Sequence, residues 1–127
     1  MSNKLLCALR QVLQDFANDL KDNIFDKAEE YSDIELLKLK IKNGDMELIS
    51  KKLIKILLPN ESKINKKDTT IFENFFQVFG NFLTQEKTEY YSNLLKDGRR
   101  MTTDDKDTVF SYLVVIANIC KQLKKNP

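Results

Sequence analysis

Residues 102–123 read TTDDKDTVFSYLVVIANICKQL, and this stretch decides the fold. Val109, Leu113, Ile116, Ala117, Cys120 and Leu123 recur at three and four residues, the spacing of one helix face. Phe110, Tyr112, Val114, Val115 and Ile119 carry the apolar surface nearly all the way round. A helix apolar on most sides belongs in the middle of a bundle. Thr102 and Asp105 have capping-box spacing at its start, and Asp104 and Asp107 lie near the positive end of its dipole. Lys121, Lys124 and Lys125 suit the opposite end.

The rest of the chain supplies helices to surround it. Asn3 to Phe25 carries Leu5, Leu6, Leu9, Val12, Leu13, Phe16, Leu20 and Ile24 on one stripe, with Ser2 as the N-cap. Asp26–Tyr31 is expected to be a loop or a fraying turn. Ser32 and Glu35 then have capping-box spacing, Ile34, Leu37 and Ile41 form a stripe, and Gly44 is expected as the left-handed C-terminal residue. Asp45 caps a third helix with Met46, Ile49, Leu53, Ile56 and Leu57 on one side. Pro59 is expected to stop it, by pushing Leu58 out of the α region. Residues 59–68, PNESKINKKD, read as a loop. Thr70 and Glu73 open a helix holding Phe72, Phe75, Phe76, Phe79 and Phe82, five of the eight phenylalanines, with Gly80 marking a crossing or kink. Thr84 caps a helix bearing Tyr90, Tyr91, Leu94 and Leu95, which ends at Gly98.

With only three Gly and two Pro there are few breakers, so the elements are long. No strand alternation and no sustained heptad run competes. The sequence predicts one all-α domain over residues 1–127, frayed at 1–2 and 124–127. It should be a compact bundle of five to six helices around an apolar C-terminal helix. The 42% apolar and 31% charged composition is that of a globular chain. The longest uncharged run, Thr108 to Cys120, is too short for a membrane span of about 20 residues. No signal peptide is legible at the N-terminus.

The chemistry is sparse. There is no His, so Ser-His-Asp and Cys-His nucleophile pairs and His zinc sites are excluded. No phosphate loop, HExxH, EF-hand or GxSxG motif occurs. No catalytic residue, cofactor or metal is expected, and the chain is read as non-enzymatic. Cys7 and Cys120 each lie in an apolar stripe and read as buried free thiols, with a disulfide between them as the alternative. Asp15, Asp19, Asp22 and Asp26 are spaced by four, three and four. They read as a solvated face, or as a docking surface for a basic partner, or as a divalent cation site if a second element converges on them.

Net charge is +2 but uneven. Residues 1–50 carry seven basic against ten acidic side chains, and residues 51–127 carry fourteen against nine. Lys51, Lys52, Lys55, Lys63, Lys66 and Lys67 crowd one segment, and Arg99 and Arg100 follow Gly98. These eight are the candidate phosphate or nucleic-acid contacts. The rival reading makes the lysines solubilising and the arginines structural, capping the preceding helix and pairing with Asp104 and Asp105. The phenylalanine cluster reads as core, with surplus apolar surface left for a partner.

Three pieces read together across the chain: Phe16 and Leu20 in DFANDL, the helix end at Pro59 in KILLPNESKI, and Lys106, Val109, Tyr112 and Leu113 in KDTVFSYL. With 18 Lys, 11 Asn and 10 Ile, the chain resembles short all-helical proteins of large nucleocytoplasmic DNA viruses. The resemblance implies no catalytic residues. It implies a virion-associated or host-facing interaction protein, located in the cytoplasm of the producing or host cell, or in the virion. The leading expectation is a soluble helical interaction or structural module, either homo-oligomeric or bound to another protein. A nucleic-acid-associated protein using the basic residues is the second.

Overall fold

A computed structural model describes residues 2–79 and 83–126. The expectations for Gly80 and Phe82 lie outside the described residues. The fold is all-α, about 80% helical. In chain order it contains α1 (Asn3–Asp19), α2 (Ala28–Asn43), α3 (Met46–Leu57), α4 (Glu61–Asn65), α5 (Ile71–Gln77), α6 (Gln85–Leu94) and α7 (Thr103–Lys125). A π turn (Leu20–Ile24) extends α1, and a 3₁₀ turn (Leu58–Asn60) joins α3 to α4. No helix among the described residues is long and apolar enough to cross a membrane.

The C-terminal helix is central, as its sequence predicts. α7 packs on α1, α3 and α4. Leu113, Ile116, Cys120 and Leu123 are completely buried, and Val109, Phe110 and Ala117 nearly so. Phe16 of α1 stacks on Tyr112 with ring centroids 5.1 Å apart, and the Tyr112 hydroxyl donates to Asp19 at 3.1 Å. Phe72 of α5 meets Phe110 at 5.4 Å. One face of α7 nevertheless stays in solvent, with Ser111, Val114, Val115 and Asn118 exposed. Those valines extend the apolar pattern without joining the core.

Four N-caps form as the sequence predicts. Ser2 accepts from Leu5 N, Asp45 from Glu47 N and Leu48 N, and Thr84 from Lys87 N. Thr102 and Asp105 close a reciprocal box, each side chain accepting from the other's backbone amide at 3.1 Å.

Other local expectations are corrected. α2 starts at Ala28, not Ser32. The Glu30 carboxylate accepts from the amides of Asp26 and Lys27 at 3.0 and 3.2 Å, so the first turn closes one turn earlier. Thr70 does not cap α5: it is itself helical in backbone, and Asp68 accepts from both its amide and its hydroxyl. Glu73 instead pairs with Lys96. Leu58 keeps helical angles (φ −65°, ψ −40°) despite Pro59, because proline supplies an early position of the 3₁₀ turn, where its missing N–H costs nothing. Residues 61–65 then form the single turn of α4, which buries Ile64. Gly44 is extended (φ −81°, ψ 164°), not left-handed. Its need is proximity, since a Cβ there would sit 2.5 Å from the Lys40 carbonyl oxygen. Among the described residues the left-handed one is Lys67, at φ 54°.

Two polar residues of α1 hold the end of α2. Arg10 donates through Nε to the Ile41 carbonyl (3.2 Å) and through Nη2 to the Gly44 carbonyl (3.0 Å), and Gln14 donates to the Lys38 carbonyl (2.9 Å). A guanidinium at the C-terminal end of a helix satisfies orphan carbonyls and complements the dipole.

Candidate functional site

Two carboxylates sit where α2 faces α6. Glu30 is 1% exposed and Asp33 is 7% exposed. They share the inner face of α2 with Ile34, Leu37 and Ile41. An unpaired carboxylate in that position would cost several kcal/mol, roughly, and revert to its neutral form, so the partners decide its role.

Glu30 is saturated. Arg100 grips it as a fork, with Nη2 to Oε1 at 2.6 Å and Nη1 to Oε2 at 3.0 Å. The Tyr90 hydroxyl donates to Oε2, and two backbone amides complete the set. Arg100 Nη2 also donates to the Ile24 carbonyl at 3.1 Å and pairs with Asp26 at 3.0 Å. Burial pushes the Glu30 carboxyl up, but Arg100, Tyr90 and the two amides outweigh it and hold the group at about 2. Asp33 accepts from Lys87 Nζ at 2.6 Å and from the Tyr91 hydroxyl at 2.5 Å. Burial first, and then the bond to Asp33, raise Tyr91 above the usual phenol range. Phe25, on the far side of the π turn, lies against Tyr91 with centroids 5.3 Å apart.

This network ties the α1–α2 corner, α6 and the turn before α7 into one unit. A groove of about 500 Å³ runs beside it, lined by Glu29, Glu86, Lys87 and Tyr90 among others. Its chemistry is that of a staple. A carboxyl held at about 2 is a poor proton acceptor near neutral pH, and among the described residues no buried side-chain polar atom lacks a hydrogen-bond partner.

The eight basic candidates fall in different places. Lys51, Lys52 and Lys55 share the outer face of α3 with Leu48, which is half exposed, and have no carboxylate partner among the described residues. Lys63 lies in α4, and Lys66 and Lys67 follow it. Lys67 pairs with Asp107 at 2.5 Å. Arg99 is almost fully exposed and bonds Asp97. Arg100 is not presented to solvent as a phosphate clamp. Nor do the arginines pair with Asp104 and Asp105: Arg100 takes Glu30 and Asp26, because the turn carries it under α6.

The acidic set of α1 does not form a row. The π turn adds a residue to one turn and breaks the register after Asp19. Asp15 bonds Gln11, Asp19 bonds Asn23 and Tyr112, and Asp26 lies beyond the helix beside Arg100. No group of three or more His, Cys, Asp or Glu among the described residues could hold a metal ion. The cysteines are free and unlike one another: Cys7 is exposed, correcting the expectation that both are buried, and Cys120 is buried. Burial pushes the Cys120 thiol up to about 12.

Glu30, Asp33, Lys87 and Arg10 are absent from the sequence-derived candidates. The signal for the first two is legible once α2 is extended back to residue 28, since residues 30, 33, 34, 37 and 41 then share a face. A different feature faces solvent. Leu36 and Leu39 of α2 are 50% and 54% exposed, and lie opposite that inner face. No protein-family model, curated protein or solved structure matches the chain.

Proposed function

We propose that this protein is a non-enzymatic helical interaction module that docks a protein partner through the outer face of α2. The observation that carries the reading is the pair Leu36 and Leu39, half exposed and one turn apart on the face away from the core. Burying that pair removes apolar surface from water, at about 25 cal/mol per Å². Half-exposed leucines are common singly, but two at i, i+3 on a helix anchored by Arg10, Gln14, Glu30 and Asp33 make a rigid, preformed surface. The saturation of Glu30 supports a structural rather than chemical role for the buried cluster. The resemblance to viral helical proteins would place such docking in a virion or against a host protein.

A photo-crosslinking residue at position 39, compared with one at exposed position 124, tests this in cells producing the protein. The reading expects a discrete adduct from 39 and none from 124. Equal, diffuse labelling from both positions would refute it.

A second reading keeps nucleic acid as partner, on the strength of the α3 face where Leu48, Lys51, Lys52 and Lys55 stand together. Phosphate binding there would weaken steeply with salt. A low-salt mobility shift lost in Lys51/Lys52/Lys55→Glu would favour it, and no shift at low salt removes it.

A further inference from the structure

We infer that the occupant of the α2 outer face is a second copy of this chain, docked antiparallel through α2; this rests on the reading that the face is a docking surface. Ser32, Leu36, Leu39 and Asn43 are all exposed. They follow one another at four, three and four residues, the spacing of a two-helix seam. The seam has leucines in the middle and small polar residues at its ends, so two copies can lie against each other without burying a charge along the contact line.

The flanking charges are self-complementary. Glu35 and Lys42 lie on the same flank of the seam, seven residues apart, with the leucines between them. In an antiparallel pair related by a two-fold axis, residues of one flank meet the same flank of the other copy. Glu35 of each copy then faces Lys42 of the other, and the symmetry makes the contact twice. Glu35 already holds Lys21 at 2.6 Å and Lys38 at 3.3 Å within its own chain, whereas Lys42 has no carboxylate partner among the described residues. The exposed helix ends agree: Glu29 stands at the start of α2 and Lys42 at its end. Antiparallel docking sets acidic start against basic end and opposes the two dipoles. The 16-residue α2 is about 24 Å long. A seam of that length is smaller than a standard interface of about 800 Å² per partner, so the association depends on concentration.

Sedimentation equilibrium in reducing buffer, from micromolar to millimolar protein, reads the result. The mass should rise toward twice the 14.8 kDa of one chain. Leu39→Lys should hold the protein monomeric at every concentration. Lys42→Glu should weaken dimerisation by about tenfold, and the double reversal Glu35→Lys/Lys42→Glu should restore it. Lys40→Glu, on the other flank, should leave it near the wild type. Circular dichroism confirms that each variant remains helical, and the charge-reversal set carries the test if Leu39→Lys does not. A monomer throughout the range overturns the inference, as does equal weakening by Lys40→Glu and Lys42→Glu. A monomer whose position 39 still crosslinks a different protein leaves the docking surface standing and removes only the second copy as its occupant.

Discussion

At the scale of single residues, Glu30 is the most informative position. Its carboxyl is held at about 2, against an ordinary 4.5, by Arg100, Tyr90 and two amides. A group whose folded value is depressed contributes stability above its unfolded value and loses it as pH falls through the folded one. The contribution is therefore complete above about pH 5 and lost progressively toward pH 2. Urea midpoints measured from pH 7 down to pH 2 should fall more steeply for the wild type than for Glu30→Gln; parallel curves would show that Glu30 is not the buried anion described. Arg100→Ala should cost about 3–5 kcal/mol, because it strands a buried charge. Arg100→Lys should recover little of it, since an ammonium cannot form the fork. The cysteines give a second check. In the native protein a thiol reagent should modify Cys7 and spare Cys120, which should react only on unfolding. Two equally fast thiols would contradict the burial of Cys120.

At the scale of elements, the caps separate what the sequence shows from what it hides. Thr102 and Asp105 were legible because their capping-box spacing falls directly before the apolar stripe of α7, and Thr102→Ala should cost about 1 kcal/mol. Thr70 and Glu73 have the same spacing and form none, because Asp68 sits two residues earlier and takes the Thr70 amide and hydroxyl itself. Thr70→Val should therefore cost less than Asp68→Ala in thermal melts, and the reverse order would restore the expected box. The start of α2 was hidden for a related reason. Ser32 and Glu35 look like an N-terminus only if residues 26–31 are polar loop, and long-range contacts to Arg100 and Tyr90 are what make Glu30 a core residue. The π turn after Asp19 left no local mark, and together with the helix end at Ile24 it scatters the four aspartates. The buried stripe at the centre of the bundle was legible in Val109 to Leu123, because burial on α7 follows simple helical spacing, while Val114 and Val115 read as core and lie in solvent. Ile116→Asp should abolish cooperative unfolding, and Leu113→Ala should cost about 2–5 kcal/mol. Val114→Lys, on the solvent face, should stay within about 0.5 kcal/mol of the wild type.

At the scale of the molecule, α2 has two faces of different burial. Its inner face carries Glu30, Asp33, Ile34, Leu37 and Ile41 against α1 and α6. Its outer face carries Leu36 and Leu39 into solvent. The sequence showed surplus apolar residues but not where they lie, because the phase of α2 depends on a start point set by distant partners. The basic surface was only partly legible for the same reason: Lys51, Lys52 and Lys55 stay together on one helix, while tertiary contacts remove Arg100 and occupy Lys67. We propose that Leu36 and Leu39 serve a partner and not the fold. Equilibrium urea unfolding of Leu36→Lys/Leu39→Lys, at a concentration where the wild type is monomeric, tests it most directly. The expected stability is within about 1 kcal/mol of the wild type, while Leu37→Lys alone fails to fold. A double variant as damaged as Leu37→Lys would mean that these leucines belong to the core, and would contradict the account.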